Sequence, residues 1–165
     1  MSNAFLYRMP AGIPGDVTRH EGARIEQQLL DADYPVTLYG LPVKMTSGKI
    51  RPMASADTEQ PYGFLVRPYP TQVASSPNVP LTSAAVPPTE GIVDVLVAGY
   101  MTVKIEENTP AKNGAVYYRK TQTSPEVLLG RLETADVSSE GTAITGCIFM
   151  GTADSDGNVE IRFNV

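Results

Sequence analysis

The stretch IVDVLVAGYMTVKIEENTPAKNGAVYYRK, from Ile92 to Lys120, decides the fold. Between Ile92 and Ile105 it is rich in Val and Ile, and Met101, Val103 and Ile105 alternate with Thr102, Lys104 and Glu106. That period of two is the mark of a strand with one buried face. Gly99 interrupts the run and predicts a bulge or bend between two strand segments. Glu106 to Gly114 is made of turn-forming residues. Ala115 to Arg119 then resumes as a strand. Within it Tyr117 and Tyr118 must point to opposite faces, so that one packs while the other meets solvent or a partner. The stretch carries no catalytic group and reads as scaffold.

Working outward, Val36 to Met53 predicts a hairpin, with Ser47-Gly48 as the turn between Val43-Lys44-Met45 and Lys49-Ile50-Arg51. Tyr62 to Tyr69 predicts a further strand, closed by Pro68 and Pro70. Strands are also expected over Val127 to Glu133, Ala143 to Thr152 and Val159 to Val165. Ala153 to Asn158 has the composition of the hairpin turn between the last two. Ala23 to Asp33, ARIEQQLLDAD, is the exception, since Ile25, Leu29 and Leu30 fit the face of a short helix.

Two stretches lie outside this pattern. Residues 1–22 contain Pro10, Gly12, Pro14 and Gly15 directly after Phe5, Leu6, Tyr7 and Met9. Such a density of Pro and Gly forbids a continuous helix, which leaves a frayed terminus or, given the apolar residues, an extended arm that docks on something. Residues 70–91 hold five prolines (Pro70, Pro77, Pro80, Pro87, Pro88) and one charge, Glu90, and predict a long surface excursion. The expectation is an all-β protein. It has a small β-barrel or jelly-roll-like domain over residues 23–165, an N-terminal arm over 1–22 and a Pro-rich loop over 70–91. Its predicted core draws on Ile92, Val93, Val95, Val97, Val103, Ile105, Val116, Leu128, Ile148, Phe149, Ile161 and Phe163.

A chain of 165 residues is most simply one domain and buries roughly 70% of its unfolded surface. Its single cysteine, Cys147, excludes an internal disulfide framework and sits in the apolar run ITGCIFM, where a buried, inert thiol is expected. No apolar run is long enough for a membrane span, and the N-terminus lacks a signal-peptide pattern, so synthesis in a cytoplasm and no membrane partner are expected. The net charge of −5 argues against nonspecific nucleic-acid binding. The negative excess lies wholly in residues 71–165, with six basic and eleven acidic groups against seven of each before them.

The residue types that carry chemistry do not assemble into a pattern. His20 is the one histidine and lies in the arm, while catalytic groups need a rigid, desolvated site. One His and one Cys do not make a zinc site. Asp154-Ser155-Asp156-Gly157 resembles the opening of a calcium loop. The positions that should hold Gly and Glu are Val159 and Val165, so a hairpin turn is expected there instead. Phosphate-binding glycine motifs are missing. Tyr62, Phe64 and Tyr69 with Arg51 and Arg67 offer the makings of a stacking surface for bases or sugars; the acidic total argues against bases, and packing is their expected use. The trimeric dUTPases share Ala98-Gly99-Tyr100 and part of GTADSD at Gly151 to Asp156. Here Met101 stands in place of the required Asp, and the phosphate-gripping motifs are absent. No enzymatic activity, cofactor or metal is expected.

A resemblance runs over most of the length. Its residues are Gly15-Asp16-Val17-Thr18-Arg19, YGLPVKMTSGKIRPM from Tyr39 to Met53, YGFLVRPYP from Tyr62 to Pro70, Gly99 to Val103, Lys112 to Tyr117, and the ending GTADSDGNVEIRFNV. With these, in this order, the chain resembles the structural cement, or decoration, proteins of tailed-bacteriophage heads. The resemblance implies a small β domain on the outer surface of the virion capsid. It would bind there as a homotrimer at three-fold and quasi-three-fold positions, bridging capsomers of the major capsid protein against the pressure of packaged DNA. It favours an extended Ala23 to Leu30 over the helix. Under it, Phe5, Leu6, Tyr7, Arg8 and Met9 become candidate capsid contacts, and Tyr117 and Tyr118 candidate trimer contacts. A phage tail or fibre module that binds host glycans is the alternative.

Overall fold

A computed structural model describes residues 12–55, 57–68, 86–105, 109–121, 129–137 and 139–165. Among them there are nine strands and no helix: β1 (Val17–Leu29), β2 (Pro42–Thr46), β3 (Lys49–Pro52), β4 (Gly63–Leu65), β5 (Ile92–Lys104), β6 (Ala115–Arg119), β7 (Leu132–Glu133), β8 (Gly141–Phe149) and β9 (Asn158–Phe163). The strands form one antiparallel sheet in the order β3-β2-β4-β5-β9-β8-β6-β7, with β1 added on β5. The sheet curls like part of a barrel. Each end of its path is drawn back by a single bridge, Leu30 to Ile50 in β3 and Ile105 to Leu132 in β7.

The strand β5 joins everything. Its first half pairs with β4 and its second half with β9, while β1 runs along its other edge. It also serves two cores. Val93, Val95 and Val97 pack with Leu30, Val43, Ile50 and Leu65, whereas Met101, Val103 and Ile105 pack with Val116, Phe149, Ile161 and Phe163. The change falls around Gly99, where a side chain would lie 3.2 Å from the Ala23 Cα. The irregularity expected there is therefore real, and its extra residues lie on the facing strand: Arg19 pairs with Tyr100, and Arg24 already with Ala98.

Both expected hairpin turns form. Thr46 pairs with Lys49 across Ser47-Gly48. Between β8 and β9 the Asp154 Oδ1 accepts the backbone N–H groups of Asp156 and Asn158, each at 2.9 Å, which ties the turn together. The strand at Tyr62 is shorter than expected. Val66 still donates to the Asp94 carbonyl, but Arg67 donates to Gly15 instead, and Pro68 has no N–H to offer.

The short helix over Ala23 to Asp33 is overturned, because the segment as far as Leu29 completes β1. The spacing of Ile25, Leu29 and Leu30 suits a helix. Pairing along β5 takes up alternate backbone groups of the regular run Ile25 to Leu29, and this tertiary ladder overrides local propensity. The arm boundary at residue 22 accordingly falls inside β1. Of the expected core, Val93, Val95, Val97, Val103, Ile105, Val116, Phe149, Ile161 and Phe163 are buried. Ile148 is half-buried, Ile92 is 70% exposed, and Leu128 lies outside the described residues.

Candidate interaction surface

Among the described residues, those singled out from sequence as candidates for chemistry lie apart from one another or serve the fold. Burial pushes the Cys147 thiol up to about 12, so it is an inert core group. His20 is exposed at the irregular part of β1. The Asp154 carboxylate holds its own turn, as described. Phe64 is in the core, edge to face with Phe163 at 5.1 Å. Arg51 lies over Tyr34 and Arg67 over Tyr39. The described members of the candidate stacking surface therefore do not come together, and Tyr69 falls outside the described residues.

Charged groups in the interior act as ties. Asp31 is buried, and Arg51 reaches it at 2.6 Å with Lys49 at 3.9 Å. Burial works to raise its pKa. The Arg51 hydrogen bond, the Asp33 N–H and the nearby cations outweigh that and hold the carboxyl below the ordinary range. Arg119 is also buried and donates to Glu133 and, at 2.9 Å, to Glu140. These ties hold the turn after β1 to β3, and β6 to β7 and to the residue before β8, and they are structural in character.

The surface is more informative. Gly15 is wedged into the body: its N–H donates to the Thr102 carbonyl at 2.8 Å and its carbonyl accepts from Arg67 at 2.9 Å. Its φ is +92°, and a Cβ there would meet that of Tyr39 at 2.7 Å. Only glycine fits this joint. The chain therefore enters the sheet from one fixed point, beside exposed Ile13 and Leu38. Phe5, Leu6, Tyr7, Arg8 and Met9, the residues expected to dock, and residues 70–85 of the Pro-rich loop lie outside the described residues.

Along β1 most side chains are exposed. Ile25 and Leu29 stand 41% and 46% exposed, and Leu29 faces exposed Ile92 on β5. Reading this segment as a helix hid the fact that it is a long strand with one partner. Ile25 and Leu29 share one face of a strand, with Arg24, Glu26 and Gln28 on the other, but the same two residues also share a helix face, so the residues alone did not decide between the two.

Of the two candidate trimer contacts, Tyr118 is a core residue. It is fully buried, with its hydroxyl donating to the carbonyl pair of Glu59 (2.8 Å) and Asp57 (3.1 Å). Neighbouring Tyr117 points to the opposite face and is half-buried.

The described residues form a curled antiparallel sheet with ionic ties inside it and apolar side chains exposed along β1, which offers surface for assembly. The sequence matches, over residues 1–164, the family described as structural cement protein (E217 gp24/Pam3 gp6). The chain belongs to that family, which is non-enzymatic. It is a phage cement protein, associated with the capsid on the outer surface of the virion. Among solved structures, a chain from the capsid of Myoviridae phage XM1 has the same fold, with a TM-score of 0.72 at 20% identity, covering 99% of this chain and 97% of that one. No curated protein matches.

Proposed function

We propose that this protein binds the outside of the head as a homotrimer at three-fold or quasi-three-fold positions. There it bridges neighbouring capsomers of the major capsid protein and braces the shell against internal DNA pressure. It does so without an enzymatic step or a cofactor. The observation that carries the reading is the glycine joint at Gly15, which gives the arm a fixed origin on a rigid sheet. From that origin Phe5, Leu6, Tyr7, Arg8 and Met9 are carried to a neighbouring subunit of the shell. Burying apolar side chains yields roughly 25 cal/mol per Å², against about 1–2 kcal/mol for each backbone residue ordered. One arm gains little, and several arms binding together gain enough to fasten a shell. Tyr117, on the outer face of β6, is the contact offered to the other copies.

The test uses heads that lack the protein. Full-length protein and a form without residues 1–11 are added back, keeping Gly15 and Val17 because they belong to the folded body. Binding and the temperature of DNA release are then measured. The full chain is expected to bind and to raise the release temperature, and the shortened form to bind more weakly. Equal binding by both would remove the arm from the interface, and heads unaffected by the full chain would overturn the bracing role.

A further inference from the structure

We propose that the outer edge of β1 pairs with β1 of a second copy of this chain, about a two-fold axis through Ile25. The direction of the backbone groups sets this up. The N–H of Leu30 donates to Gly91, at the start of β5, whereas the next N–H, that of Asp31, donates the other way to Ile50 in β3. Even-numbered residues of this regular segment thus turn their backbone groups to β5, and odd-numbered ones turn them outward. Ile25 and Gln27 hold an N–H and a C=O each to the outer edge, where none of the described residues pairs with them. An uncovered strand edge is a template for another strand.

The usable length is short and bounded. The β5 ladder is regular only from Ile25 on: the register shifts between Arg19 and Arg24, and again between Arg24 and Ile25, where the extra residue, Val97, lies on β5 rather than on β1. Beyond Gln28 the edge is taken by β3, through the Leu30–Ile50 bridge. A centre at Gln27 would demand outward pairing by Leu29, where β3 stands. A centre at Ile25 avoids it.

That register is self-complementary. Antiparallel pairing about Ile25 sets Ile25 against its twin, Arg24 against Glu26 and Glu26 against Arg24, so one contact supplies two opposite-charge pairs and one apolar pair. Ile25 and Arg24 are available, and Glu26 in part: its Oε2 accepts the Tyr62 hydroxyl and Gln28 Nε2, while its Oε1 is the oxygen turned to Arg24. Ile25 is 41% exposed, and the side chains of Arg24 and Glu26 are 69% and 38% exposed, separated by 3.6 Å within their own strand. A ring around a three-fold axis built from strand pairs takes two edges from every copy, while a two-fold pair takes one. The β1 contact therefore differs from the trimer contact proposed above and links one trimer to the next.

The experiment is sedimentation of the full chain over a wide concentration range, comparing the natural protein with Arg24→Glu, Glu26→Arg, the double exchange and Ile25→Pro. Proline at Ile25 removes an outward N–H and leaves the β5 ladder intact. Reversing one charge turns two attractive pairs into two repulsive ones and is expected to weaken the even-numbered association by about tenfold or more. The double exchange is expected to restore it, and Ile25→Pro to abolish it. Superposable masses for the natural protein, Arg24→Glu and Ile25→Pro would overturn the pairing. If those masses are all three-fold, the trimer stands without it. Loss of head binding by Ile25→Pro, with no self-association in the natural protein, would give the edge to a capsid-protein strand and equally overturn the proposal.

Discussion

Arg19 grips Glu160 with both ends of its guanidinium, Nε at 3.0 Å and a terminal nitrogen at 2.7 Å, and lies flat over the Tyr100 ring at 4.2 Å. Thr18 adds a hydroxyl bond of 2.6 Å to the same carboxylate. The start of β1 is thereby latched across β5 onto β9, next to the joint from which the arm leaves.

Because the Arg19 side chain is half exposed, the latch contributes modestly. Arg19→Ala is expected to cost about 1 kcal/mol or less in global stability, read from urea unfolding. Arg19→Lys should not recover it, because an ammonium offers neither the fork nor the flat stacking face. Full recovery by lysine would show that charge alone acts here.

The two ends of the predicted core should behave oppositely. Ile161 is fully buried between partners on β5 and β8, and Ile161→Ala should cost roughly 2–5 kcal/mol. Ile92 was expected in the core and is exposed, so Ile92→Ala should change the stability of the free protein by roughly 0.5 kcal/mol at most. Thermal unfolding of the two variants checks both. A large loss at Ile92 would mean that its exposed face is covered within one copy.

Asp31 gives a pH dependence with a defined sign. Its folded-state pKa is lowered from the ordinary 3.8, so the folded state binds its proton less readily than the unfolded state. Its contribution is present above the unfolded value and is lost as pH falls through the folded one. Asp31→Asn should therefore be less stable than the natural protein near neutral pH, and the gap should close as the pH drops below 3.8. Acid titration of both forms by circular dichroism measures it. A gap that stays constant down to strong acid would show that the ion pair with Arg51 carries no net weight.

The Cys147 thiol, pushed up to about 12 by burial, should resist thiol reagents at mildly alkaline pH in the native protein and react at once in denaturant. Rapid labelling of the native form would indicate that the β8 face opens.

The sequence alone determined the long central strand and the tight turns. Val93 to Ile105 is β-rich enough to read as a strand although its partners β1, β4 and β9 are remote and bury Leu96 and Thr102 as well as the alternating residues, while the turns at Ser47-Gly48 and Asp154 to Asn158 are closed by groups within a few residues. Its ordered motifs also sufficed for the family. Three matters were left to the tertiary structure, each for a physical reason. Ala23 to Leu29 became a strand because β5 offered it a ladder, and the spacing of Ile25 and Leu29 fits a helix equally well. Tyr118 went inward and Tyr117 outward, which strict alternation requires but does not assign, since the face is chosen by whichever core the strand lies on. Gly15 read as one of several glycines in an arm, and only its contacts with Thr102, Arg67 and Tyr39, which are remote in the chain, made it the joint where the arm begins.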